Sequence, residues 1–189
     1  MRVLGISGSL RADSLNRRLL RTAAAQLPSG VELVELDPAI LKAVPAYDQD
    51  DDHDEVGPEV RALREAIAGA DALLFATPEY NGSVPGVLKN AIDWASRPRD
   101  DAALAGKPAA VVGASPGMFG AVWAQGDLRR ILGIAGARVV DRELPVANAD
   151  EAFHPHDDRL LEDSQHDELT AIVEELVAEA APRFERAAA

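Results

Sequence analysis

Five short apolar runs divide the chain, at Val3–Ser7, Val31–Leu36, Ala72–Thr77, Ala109–Ala114 and Ala137–Val140. Helical periodicity fills the space between and after them. Leu15, Leu19, Ala23 and Leu27 recur every fourth residue after the first run. Val56, Val60, Leu63 and Ile67 do the same after the second, with Pro58 suited to a first helical position. Val87, Leu88, Ala91, Ile92 and Ala95 mark a third helix, and Leu128, Ile131, Leu132 and Ala135 a fourth. Leu169, Ile172, Val173, Leu176 and Val177 mark the last. Strand starts fall roughly 30 to 40 residues apart, the size of a βαβ unit. Unbroken apolar strands indicate a parallel sheet covered on both faces. The pattern predicts a three-layer α/β sandwich with a five-stranded parallel sheet in the order 2-1-3-4-5. A ligand belongs beyond the strand C-termini where that order reverses, at the loops after strands one, three and four.

Composition narrows the classes. A chain of 189 residues, 47% hydrophobic and 27% charged, is expected to form one domain over residues 1–189 with a substantial core. No stretch approaches the roughly 20 apolar residues of a membrane span, and no apolar signal region follows Met1-Arg2, so a soluble cytoplasmic protein is expected. The absence of cysteine excludes disulfides and thiolate chemistry. A net charge of −13 argues against nucleic-acid binding. It also means that an anionic ligand must be drawn in by local donors and arginines.

The loop after the first strand, Gly5 to Asn16, offers such donors. It passes through Ser7, Gly8, Ser9, Arg11 and Ser14 into the first helix, whose leading N–H groups lack intrahelical partners. Ser9 and Ser14 serve equally well as ordinary turn and cap residues. Two details favour a phosphate. Asn16 is a poor helix former in the first turn, and Arg17 and Arg18 stand where a capping box would place glutamate. Rival motifs fail: the final glycine of G-x-S-x-G is missing, and neither a Walker lysine nor G-x-G-x-x-G is present.

Thr77 to Gly86 joins strand three to the third helix. Pro78 ends the strand, Asn81-Gly82 is a strong turn dipeptide, and Tyr80 among small donors suits a flat heterocycle. Ser83 is expected to cap a helix opening at Val84-Pro85. After strand four, Ser115-Pro116-Gly117-Met118-Phe119-Gly120 reads either as a loop allowing close backbone approach to a ligand or as a plain surface connection.

Together these segments resemble the NADPH-dependent FMN reductase family, which includes quinone, chromate and azo-dye reductases. Gly8, Ser9, Arg11, Ser14 and Asn16 match its first signature, Gly-Ser-x-Arg-x-x-Ser-x-Asn. Pro78 through Trp94 match the second, and Ser115–Gly117 with Gln125–Arg129 the third, so the likeness runs from residue 2 to about residue 140. Met118 departs from it, since relatives often carry a further glycine there. The resemblance implies a flavodoxin-like fold. It implies FMN as cofactor, with Ser9, Arg11, Ser14 and Asn16 on the phosphate. Pro78, Glu79, Tyr80, Asn81, Gly82 and Ser83 would line the isoalloxazine, and Ser115, Pro116 and Gly117 its opposite side. NAD(P)H would be co-substrate, with a quinone, azo compound or chromate as acceptor in a ping-pong two-electron reaction. No catalytic side chain or metal is implied, because hydride transfer belongs to the cofactor. Homodimers or homotetramers are implied, with the third and fourth helices as contact candidates. Alternatives within the same likeness are a flavin reductase supplying reduced FMN to a monooxygenase, and a flavodoxin-like electron carrier.

Other features have blander readings. Asp48, Asp50, Asp52, Asp54 and Glu59 graze an EF-hand spacing, but His53 replaces the required glycine. Arg97 and Arg99 suit either an anionic nicotinamide dinucleotide or the C-terminal end of the third helix. Trp94 and Trp123 fall on helical patterns as core or interface residues. Asp141 to Gln165 is expected to be an irregular connection.

Overall fold

Alternation along the central strands divides the core into two. A computed structural model describes residues 1–53 and 56–188, with 182–188 as backbone only. Five parallel strands, β1 (Arg2–Ser7), β2 (Glu32–Glu35), β3 (Ala72–Thr77), β4 (Pro108–Ala114) and β5 (Arg138–Val139), pair in the order β2-β1-β3-β4-β5. Leu73 and Phe75 of β3 and Ala109 and Val111 of β4 face one side, where α2 (Pro38–Ala43), α3 (Pro58–Ala68), α4 (Gly86–Ala95) and α5 (Val122–Ile134) pack. Leu74 and Ala76 of β3 and Ala110 and Val112 of β4 face the other, against α1 (Leu15–Ala24) and α6 (Asp163–Ala188). All of β3 and β4 is buried, which is why their sequences read as continuous apolar runs. The predicted sandwich and strand order are those observed.

Three elements differ from the sequence reading. The connection after β5 contains a two-residue strand, β6 (Pro145–Val146), which pairs with the end of β4 while β5 pairs with its start. The sheet therefore has six strands, two of them sharing one edge. Helix α2 follows β2, with Asp37 accepting from the Ala39 N–H at 2.9 Å and Pro38 at its first position. Helix α1 ends at Ala24, so Leu27 packs against the α1/α6 core from beyond the helix.

The rest of the connection wraps onto α1. Arg18 donates to Asp158 at 3.0 Å and to the His154 carbonyl at 2.6 Å, and Arg21 reaches Asp158 at 2.7 Å. The bond from Arg21, helped by Arg18, holds the Asp158 carboxyl below its ordinary value of 3.8. In the acidic loop, Asp52 pairs with Arg64 at 2.7 Å and Asp48 accepts from the Asp50 N–H, so both carboxylates serve local contacts. Asp54 lies outside the described residues. No helix among the described residues is long and apolar enough to cross a membrane.

Candidate active site

The β1–α1 loop closes on itself and on β3. The Ser9 N–H donates to Ser7 Oγ at 3.2 Å, the Arg11 N–H approaches Ser9 Oγ at 3.4 Å, and Gly8 N–H donates to the Ala76 carbonyl at 2.9 Å. Ser14 caps α1, accepting from the Arg17 N–H at 3.2 Å. Ser9 and Ser14 are buried, whereas Arg11 is exposed and forms no ion pair among the described residues. The first turn of α1 holds no acidic residue, as the sequence indicates, and Arg17 and Arg18 draw counter-charges from elsewhere: Glu35 at 2.9 Å and Asp158 at 3.0 Å. Of the three arginines near the start of α1, Arg11 alone has no ion pair among the described residues.

Asn16 has a second task. Its Nδ2 donates to the Ala114 carbonyl at 2.9 Å and its Oδ1 accepts from the Ala114 N–H at 3.0 Å. Strand β3 ends at Thr77, which is registered with Gly113, so Ala114 has no strand neighbour on that side. The Asn16 amide takes the place of the missing peptide unit and ties the first loop to the third. The second of its two amide N–H donors has no partner among the described residues.

Between β3 and α4, Tyr80 and Ser83 exchange backbone hydrogen bonds of 3.1 and 3.2 Å around Asn81 (φ 53°) and Gly82 (φ 74°). Two left-handed central residues make this a type I′ turn, for which Asn-Gly is the preferred pair. Ser83 does not cap α4. That helix opens at Gly86 behind Pro85, and Ser83 Oγ donates instead to Asp127 of α5 at 2.9 Å. Glu79 also points to α5, as its Oε2 accepts from the Trp123 and Ala124 N–H groups at 3.1 Å each. A methyl group at Gly8 would sit 3.1 Å from Pro78 and 3.0 Å from Leu88, so glycine lets the first two loops meet.

The β4–α5 loop is braced from beneath. Ser115 Oγ accepts from the Gly117 N–H at 3.1 Å, and the Ser115 N–H donates to Val146 of β6 at 3.0 Å. Fully buried Gln125 donates to the Gly120 carbonyl and accepts from the Leu144 N–H, both at 3.1 Å. Gly120 needs its glycine twice over, with φ at 56° and the Pro145 carbonyl carbon 2.5 Å from where a Cβ would be. Met118 and Phe119 are exposed, and Phe119 packs on Trp123 with ring centroids 4.7 Å apart. Trp94, by contrast, is a core residue.

Arg97 and Arg99 follow the far end of α4, a ten-residue helix and so about 15 Å long. Arg97 lies 6.0 Å from the Tyr47 ring centroid. Both line a cavity of about 640 Å³ between α4 and α5 that includes no residue of the three loops.

A doubly wound sheet with three donor-bearing loops converging where its order reverses is the architecture of a mononucleotide-binding α/β protein. The chain belongs to the NADPH-dependent FMN reductase family, which residues 1–151 match. It is an oxidoreductase of a family that uses FMN with NAD(P)H. It is 45% identical over 164 residues to an NAD(P)H-dependent FMN reductase of Pseudomonas aeruginosa, covering 86% of each chain. A 2-hydroxy-1,4-benzoquinone reductase from Burkholderia sp is 40% identical over 159 residues, which is 84% of this chain and 80% of that one. Among solved structures, FerB, a flavoenzyme NAD(P)H:(acceptor) oxidoreductase from Paracoccus denitrificans, superposes with a TM-score of 0.80 at 35% identity. The match covers 96% of this chain and 97% of FerB.

Proposed function

We propose that this protein is an FMN-dependent NAD(P)H oxidoreductase that passes two electrons to quinones or similar small acceptors, azo compounds and chromate among them, in a ping-pong cycle. The observation that carries the reading is Arg11, which is exposed on the loop that holds Ser9 and Ser14 and leads into the N-terminus of α1, and which forms no ion pair among the described residues of a strongly acidic protein. Helix N–H groups, hydroxyls and one arginine suit a terminal monophosphate.

In this reading FMN supplies the hydride chemistry. Ser9, Arg11 and Ser14 hold its phosphate, while Asn16 donates one N–H and fixes the spacing of the first and third loops. The turn from Pro78 to Ser83 and the segment Ser115–Gly117 flank the ring, presenting backbone donors that favour charge on the reduced ring. Tyr80 and Phe119, both about half exposed, stand at the open rim where nicotinamide and acceptor would alternate.

We read residues 1–189 as one flavodoxin-like FMN-binding domain acting in the cytoplasm as a homodimer or homotetramer. The outer face of α5 supports self-association. Toward its C-terminal end Ile134 is 77% exposed, and Gly126 and Gly133 leave open space for a close helix approach. NAD(P)H oxidation by the FMN-reconstituted protein against a panel of quinone, azo and chromate acceptors tests the activity. Acceptor-dependent turnover with flavin retained through gel filtration is expected. Reduction of free FMN alone would favour a flavin reductase, and exchange only with a protein reductase would favour an electron carrier.

A further inference from the structure

Helix α5 has no cap of its own. Its N-cap residue, Ala121, is left-handed at φ 63° and offers no side-chain acceptor, and its first turn holds no acidic residue. The position is filled from 44 residues away by Glu79, through the bonds to the Trp123 and Ala124 N–H groups. The Ser83–Asp127 bond adds a second clasp one helical turn further along. Between the clasps lies the Tyr80–Ser83 turn, and beside the first lies the Phe119–Trp123 pair.

We propose that Glu79 is a positioning residue. It acts through α5, locking the first turn of that helix and the aromatic pair on it to the β3–α4 turn, so that the rim presented to the acceptor is rigid. The proposal rests on the reading of this turn as the flank of the flavin ring, and deepens it. Both bonds fall on one carboxylate oxygen. A glutamine amide oxygen can therefore replace it without the charge, whereas aspartate keeps the charge but loses the reach.

That distinction sets the test. In the flavin-free protein, Trp94 is 2% exposed and Trp123 52%, so acrylamide quenching of tryptophan fluorescence reports on Trp123. Glu79→Ala and Glu79→Asp are expected to raise the quenching constant, and Glu79→Gln to keep the wild-type value. In the FMN-loaded enzyme, the Ala and Asp variants should raise KM for a quinone about fivefold, the factor corresponding to a helix cap of ordinary strength. Should the Ala variant not fold, the Gln and Asp pair carries the comparison. Unchanged quenching in Glu79→Asp would overturn the proposal. So would a Gln variant that behaves like Ala while Asp behaves like wild type, because the charge would then be what matters. Failure of the protein to bind FMN would remove the functional reading yet leave the quenching result to judge the clasp.

Discussion

Asn16→Ala tests whether this residue is chiefly a brace or chiefly a phosphate ligand. The side chain is 3% exposed and makes two bonds to Ala114, of 2.9 and 3.0 Å, with both partners buried. Truncation strands one backbone carbonyl and one backbone N–H at the end of β4. Each unsatisfied buried group costs about 1–3 kcal/mol. With water reaching one of them through the vacated space, the expected loss is about 3 kcal/mol, a large share of the roughly 5–15 kcal/mol that stabilises a typical domain. Urea unfolding of the flavin-free protein measures it. With a slope of about 2 kcal/mol/M, the midpoint should fall by about 1.5 M with the slope unchanged. Asn16→Asp should lose as much, because a carboxylate cannot donate to the Ala114 carbonyl. A midpoint within about 0.3 M of wild type, within the error of such extrapolations, accompanied by lost FMN affinity, would refute the brace.

Two further outcomes follow from the same geometry. Arg11→Ala should weaken FMN binding by at least about 1.5 kcal/mol, a charge-assisted hydrogen bond, and leave the flavin-free midpoint unchanged because the guanidinium forms no ion pair among the described residues; calorimetric titration and urea unfolding check the two halves. Asp158 is held below its ordinary value by Arg21 and Arg18. The folded state therefore binds this proton less readily than the unfolded chain, and the contribution is complete above about 3.8 and lost as pH falls below it. Asp158→Asn should flatten that acid limb in unfolding measurements at stepped pH.

Much of the architecture is written in local pattern. The runs that became β1, β3 and β4 are apolar without interruption because both faces are covered, and a buried parallel strand requires that. Asn81-Gly82 announced its turn because two consecutive left-handed residues are cheapest for that pair. Helix α2 was also legible in principle, since Asp37-Pro38 is a cap followed by a first-position proline. β6 was not, because its pairing is dictated by the exposed edge of β4 and not by Pro145-Val146 itself. The side chains of the candidate site were the least legible. Asn16, Glu79 and Ser83 were read for contacts with a ligand or with the nearest helix. Their partners proved to be Ala114, Trp123 with Ala124, and Asp127, which lie 44 to 98 residues away. Spacing along the chain carries no signal for such contacts. Arg17 and Arg18 likewise find their counter-charges away from the first turn, in Glu35 and Asp158.

The central claim is that the β1–α1 loop is a phosphate cradle, and the affinity gap between FMN and riboflavin measures it most directly, because the two ligands differ only in the phosphate. Two charge-assisted bonds of about 1.5 kcal/mol each amount to more than a hundredfold. Titration of the flavin-free protein should give one FMN per chain, riboflavin weaker by about a hundredfold or more, and a narrowed gap in Arg11→Ala. Equal affinities for the two flavins would contradict the account.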